Sequence, residues 1–183
     1  MRKVFFFMSV IGWLISLIIH LVSYAGIDIE DRFPQIWLFS IFIFIVWFPA
    51  IIYSIKENKV KDEITFFSLD FLKVIFGRAP IWLTTLAVLC FFYGFLSFWL
   101  HQNAYIGVPD IIDGQYVLHN HGSIEKVLTE NEYHSYNAES LRSFSSFWLI
   151  FYGIAAAILY PFKKGKGSDE ANFNNDNISE LVD

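Results

Sequence analysis

The chain has 183 residues, of which 55% are hydrophobic, 20% aromatic and 17% charged, with a formal net charge of −5 at pH 7. Soluble domains average about 25% charged residues. So heavy a load of Phe, Tyr and Trp with so little charge excludes an intrinsically disordered chain and a nucleic-acid binder, both of which rely on charge rather than apolar bulk.

The arrangement of the apolar residues goes further. Four stretches carry no Asp, Glu, Lys or Arg: 4–27, 33–55, 79–108 (apolar as far as Leu100) and 143–162. A hydrocarbon core of about 30 Å needs roughly 20 residues of helix, and each stretch supplies that. Backbone polar groups must be satisfied inside the membrane, so runs of this length are expected to be helices.

The first run follows Arg2 and Lys3 and so resembles a signal peptide, with Ser23-Tyr24-Ala25 as a loosely cleavable site. It is longer than the usual apolar region of about 7–15 residues, and a retained first helix is the expected reading. The second run carries Pro49 late in its course, where a bend is expected. Between the second and third runs, residues 63–77 are greasy but interrupted by Ser68, Asp70, Lys73 and Gly77. That pattern predicts an amphipathic helix lying in the interface, with a partner-docking surface as the alternative. Pro80 opens the third run, at a helix position where a missing N–H matters little.

Residues 101–142 carry the most specific pattern. Gly107-Val108-Pro109-Asp110 reads as a turn, Gln115–Asn120 as a strand, His121-Gly122 as a second turn and Ser123–Leu128 as the returning strand. A two-stranded ribbon is marginal alone and should rest on helix ends or on a partner. Thr129 followed by Glu132 is a capping box. No Gly or Pro follows until Gly153, so one continuous helix is expected from about Glu130 to Tyr160, its first turns outside the membrane and its remainder the fourth span. The tail 163–183 begins with Lys163, Lys164 and Lys166, suited to anionic headgroups, and is then polar enough to be expected disordered.

Charge sets the expected orientation. With the N-terminus, residues 56–78 and the tail on the cytoplasmic side, that side holds 10 of the 13 Lys and Arg, leaving Arg32, Lys126 and Arg142 outside. The positive-inside rule then places both termini in the cytoplasm. The expected architecture is an all-α membrane protein: transmembrane helices one to three within 1–100, an extracytoplasmic ribbon and helix over 101–142, and a fourth transmembrane helix over 143–162. The small β-hairpin leads into a long helix continuous with span four.

The spans hold no Asp, Glu, Lys or Arg, which argues against a pump or charged-solute carrier acting alone. The pairs Gly12 with Ser16 and Gly153 with Ala157 lie four apart and suit close helix packing. A homo-oligomeric channel or small-solute carrier remains an alternative. Cys90 is single, so no disulfide forms within one chain.

All five His lie toward the outer side: His20, His101, His119, His121 and His134. A metal at His119, His121 and His134 is geometrically possible if the first two share a strand face; if His121 takes the turn, that face is lost. A haem between His20 and His101 is a further alternative, and polar packing is the plain one. His119-Asn120-His121 sits on an acidic loop without spaced ligands, which excludes nuclease chemistry. No cofactor is expected.

The run Gly114-Gln115-Tyr116-Val117-Leu118, Asn120-His121-Gly122, Glu132-Tyr133, Ala138, Arg142, Phe144-Ser145, Trp148 and Phe151-Tyr152 resembles a signature of small bacterial inner-membrane proteins of unassigned function. The resemblance covers about 40 residues and implies a bacterial inner membrane, with the outside segment as the defining feature and no activity carried over. The expected function is non-enzymatic: binding another protein, as an accessory subunit of a membrane complex or a toxin-immunity protein. The partner-binding candidates are Tyr116, His119, His121, Glu132, Tyr133, Tyr136 and Arg142, and the other expected partners are the lipid bilayer and further copies of the chain.

Overall fold

The computed structural model describes residues 1–58, 76–77, 79–104 and 107–162. Four helices in it are long and apolar enough to cross a bilayer, which makes the chain a multi-pass membrane protein. They are α1 (Arg2–Tyr24), α2 (Leu38–Asn58), α3 (Ile81–Ala104) and α4 (Glu130–Leu159). A 3-10 turn, Pro34–Trp37, leads into α2, and three strands precede α4: β1 (Val108–Ile112), β2 (Gln115–Asn120) and β3 (Ser123–Val127). The interfacial helix expected over 63–77 lies outside the described residues except for Phe76 and Gly77, and the tail 163–183 lies outside them altogether.

Helix α4 is the centre of the bundle, and α1, α2 and α3 each pack on it. The stripe α1 turns inward is Phe6, Ser9, Gly12, Ser16, Ile19, His20 and Ser23, recurring every three or four residues. Small residues let the two backbones approach. At Gly12 an added Cβ would sit 2.5 Å from Cε1 of Tyr152. Ser9 and Ser16 donate their hydroxyls to the carbonyls of Phe5 and Gly12, both at 2.8 Å, so these two hydroxyls are satisfied within their own helix. The inward stripe of α3 is Leu83, Ala87, Cys90 and Gly94. At Gly94 a Cβ would meet Ile150 Cδ1 at 2.5 Å and the Ser146 carbonyl at 3.0 Å. Gly153 of α4 faces Trp13 of α1 and Ala87 of α3, where three helices meet. Close approach, expected of both small-residue pairs, is thus found at Gly12, whereas Gly153 has room for ordinary contact.

Helix α2 joins α4 through aromatic side chains rather than small ones. Trp148 donates its indole N–H to Ser40 Oγ at 2.9 Å, Tyr152 its hydroxyl to the Phe39 carbonyl at 3.2 Å, and Trp47 its indole N–H to the Phe151 carbonyl at 2.9 Å. Pro49 sits inside α2.

The helix ends are closed by identifiable groups. At the end of α1, Gly26 takes φ +79°, the Gly26 N–H reaches the Ser23 carbonyl at 3.0 Å and the Ile27 N–H reaches the Val22 carbonyl at 3.3 Å. This is a Schellman motif, in which glycine adopts the left-handed conformation without strain. The last carbonyls of α4 are capped from α1: Arg2 donates Nη2 to Ile158 O at 2.6 Å and Nε to Leu159 O at 3.2 Å. A cation suits the negative end of a helix dipole.

The sheet corrects one expectation. It has three antiparallel strands in the order β1-β2-β3, not two. The segment read as the turn 107–110 is the beginning of β1, which pairs with β2 from Val108↔His119 to Ile112↔Gln115. The physical reason lies in Asp113-Gly114. Both residues have positive φ, +50° and +76°, the geometry of a two-residue type I′ hairpin turn. His121-Gly122 makes the second such turn, at +46° and +94°. A bulge in β3 breaks the register between Leu118 and His119.

Candidate interaction site at the sheet-capped end

Thirty residues of α helix span about 45 Å, some 15 Å more than a hydrocarbon core. The charged and polar side chains Glu130, Glu132, His134, Asn137, Glu139 and Arg142 all fall in the first half of α4. That half is the polar end of the helix and carries the sheet. The helix start forms as the capping box requires. Thr129 Oγ1 accepts the Glu132 N–H at 3.3 Å, while Glu132 Oε2 accepts the Thr129 N–H at 2.8 Å and its hydroxyl at 3.0 Å. The other oxygen, Oε1, accepts Lys126 Nζ from β3 at 2.6 Å. Lys126 first, and then the Thr129 N–H and hydroxyl, hold the Glu132 carboxyl down to about 2, and Glu132 in turn raises Lys126. Tyr116 of β2 stacks at a tilt on Tyr133, with centroids 4.8 Å apart. Sheet and helix are thus pinned by one ion pair and one ring pair.

The loop after α1 is tied to the same helix by Asp28. Its Oδ2 accepts His134 Nδ1 at 2.8 Å and Asn137 Nδ2 at 3.1 Å, and its Oδ1 accepts the Asp31 N–H at 3.3 Å. The Asp28 side chain is only 5% exposed. The bond to Asp28, helped by the charges of Asp28, Asp31 and Glu130, raises His134 above its ordinary value.

One layer deeper lies a polar cluster that links three helices. His20 of α1 places Nδ1 at 3.1 Å from the Arg142 carbonyl and 3.0 Å from Ser145 Oγ, and Nε2 at 2.6 Å from the Tyr93 hydroxyl of α3. A carbonyl only accepts, so Nδ1 carries the proton and Nε2 accepts from Tyr93. Ser145 donates its own hydroxyl to the Arg142 carbonyl at 3.0 Å. The Arg142 guanidinium pairs with Glu139 and lies over the Tyr24 ring, 5.1 Å from its centroid.

The candidate residues from the sequence fall into two groups. Tyr116, Glu132, Tyr133 and Arg142 are engaged in the contacts above, and Tyr136 lies half-buried on α4. His119 stands in β2 opposite Val108 and Ile124, whereas His121 occupies the turn at positive φ. The shared strand face that a metal at His119 and His121 requires is therefore lost, and His134 gives Nδ1 to Asp28. Among the described residues no group of three or more His, Cys, Asp or Glu is placed to hold a metal ion. Of the two residues considered for haem, His20 and His101, His20 has both ring nitrogens committed to hydrogen bonds.

Sequence reasoning missed Asp28, Asn137, Tyr93 and Ser145. A histidine inside an apolar run was the usable signal, because a buried imidazole needs partners on neighbouring helices. Nothing in the sequence tells Asp28 from Asp31 as the residue that turns inward. No family model, curated protein or solved structure matches this chain.

Proposed function

We propose that the protein is a non-enzymatic bacterial inner-membrane protein that binds another protein at its sheet-capped end, as an accessory subunit of a membrane complex or as a toxin-immunity protein. The distribution of Lys and Arg, 10 of 13 on the side of the termini, supports an orientation with both termini cytoplasmic and the sheet outside. The contact of Arg2 with the last turn of α4 is consistent with termini on one side.

The observation that carries the reading is a small sheet fixed to the polar half of α4 with apolar side chains turned outward. Val108 is 66% exposed, Ile124 53% and Val127 60%. Val108 and Ile124 flank His119 in one cross-strand row. Outside the membrane, water is a poor neighbour for such residues, and a protein surface is a good one. The test is gentle extraction from native membranes, followed by copurification and crosslinking at Ile124. A defined stoichiometric partner is the expected result. A monodisperse monomer that captures nothing from native membranes overturns the reading.

A further inference from the structure

The two edges of the sheet differ in a way that selects a docking mode. In an antiparallel ladder, alternate residues turn both backbone groups to one side. The Leu128 N–H bonds to the Tyr116 carbonyl at 2.8 Å, which makes Val117↔Val127 a pair without mutual hydrogen bonds. The N–H and C=O of Val127 therefore point away from the sheet, and those of Val117 point toward Asp110 in β1. On the outer side of β1 the residues that face out are then Pro109 and Ile111. Proline has no N–H, and the Ile111 N–H is taken by Asp110 Oδ1 at 2.8 Å. The outer edge of β1 is blunted against strand pairing.

The edge of β3 is not. All five residues of β3 are exposed, and among the described residues no strand pairs with its outer side. Ile124 and Val127 lie beside that edge. The unmatched charge beside this edge is acidic: Lys126 is matched by Glu132, whereas Glu125 of β3 and Glu130 at the start of α4 are exposed with no ion pair to a described cation.

We propose that the open edge of β3 takes up an extended segment of the partner protein as a fourth strand, and that this segment alternates apolar residues with Lys or Arg. The alternation follows from the strand period of two: one face of the added strand covers Ile124 and Val127, the other meets the carboxylates, and main-chain bonds to Val127 hold the register. The proposal rests on the protein-binding reading above and names the place and the chemistry of the partner.

The test uses the full chain in nanodiscs of zwitterionic lipid, which removes lipid charge as a competitor, with empty nanodiscs as the blank. The probes are two labelled peptides of equal length, one alternating Val with Lys and the other alternating Val with Glu, read by fluorescence anisotropy. Val127→Pro removes an N–H that the sheet does not use, so the sheet is retained while the docking edge is lost. Glu125→Lys reverses charge at the bulge and serves if the proline variant does not fold. The expected result is binding of the lysine peptide, at least about tenfold weaker binding of the glutamate peptide, a similar loss in Val127→Pro, and a shift of preference toward the glutamate peptide in Glu125→Lys. Equal binding of both peptides, no binding, or full binding by Val127→Pro overturns the proposal. Self-association through β3 without peptide selectivity overturns it in favour of a second copy of the chain. Recovery of the same native partner by wild type and Val127→Pro sinks the edge proposal and leaves the protein-binding reading standing. Failure of wild type to recover any partner sinks that reading instead.

Discussion

Gly12→Ala is the most exacting test of the bundle. The added methyl group would lie 2.5, 2.6 and 2.9 Å from Cε1, Cδ1 and Cζ of Tyr152, against an ordinary carbon–carbon separation of about 3.5–4.0 Å. The seam between α1 and α4 must open by roughly 1 Å, because the Tyr152 ring has nowhere to go. It is 2% exposed, its hydroxyl bonds the Phe39 carbonyl, and its face lies against Phe39 with centroids 5.2 Å apart. Overpacking of this kind costs about 3 kcal/mol at the upper end of its usual range, and the better helix propensity of alanine offsets about 1 kcal/mol. The net loss is about 2 kcal/mol, or a fall of about 4–8 °C in melting temperature, measured by tryptophan fluorescence of the purified protein in detergent. Gly153→Ala is the matched control. Its methyl group would lie 3.4 Å from Trp13 Cδ1 and 4.0 Å from the Ala87 Cα, ordinary contact distances, so the melting temperature should stay level or rise. Equal melting of the two variants would refute the reasoning, as would a Gly12→Ala cost that persists undiminished when Tyr152→Ala removes the ring.

Three further outcomes are expected. Tyr93→Phe deprives His20 Nε2 of its donor and should lower stability by about 0.6–2 kcal/mol in equilibrium unfolding in mild detergent; unchanged stability would show that the cluster does not tie α3 to α1. Asp28→Ala should abolish a pH dependence that the wild type shows: the raised value of His134 means the latch is fully present below the ordinary histidine value of about 6.5 and is lost as pH rises through the higher folded value. Amide exchange over residues 25–33 should therefore speed up with pH, beyond its intrinsic dependence, in wild type but not in the variant. Thr129→Ala removes the cap of α4 and should cost about 0.5–2 kcal/mol, seen as faster exchange over the first turn only; exchange that spreads through the transmembrane half would contradict a locally closed helix start.

The parts of the fold legible in the sequence are those set by strong local physics. Exclusion of charge from long apolar runs marked the spans, and Thr129 with Glu132 fixed the start of α4 at Glu130, because a capping box lies within four residues. The Asp113-Gly114 turn was equally local and was passed over, since the proline at position 109 favoured reading a loop; proline is compatible with a strand whose N–H side faces out, and β1 is such a strand. The contacts of the candidate site were legible only in part. The pairing of Arg142 with Glu139 follows from i,i+3 spacing on a helix. The pairs His20 with Tyr93 and Asp28 with His134 bridge 73 and 106 positions, and nothing in residue spacing encodes which helices become neighbours.

The central helix gives a separate argument for the bilayer. In a soluble protein the most buried helix is the most apolar, because water selects what faces out. Here the order is inverted. Helix α4 is largely buried yet is the least apolar of the four, whereas α1, α2 and α3 are mostly exposed and more apolar. Lipid imposes this order: it tolerates Phe, Ile and Leu on the outer faces and drives serine, histidine, tyrosine and tryptophan polar atoms inward to find one another. The interior of α4 meets that demand with Ser145, Trp148 and Tyr152, each donating across or along the bundle. The same sequence in water would turn its greasiest surfaces to the solvent and bury its most polar helix, an arrangement that only a surrounding apolar phase can hold together.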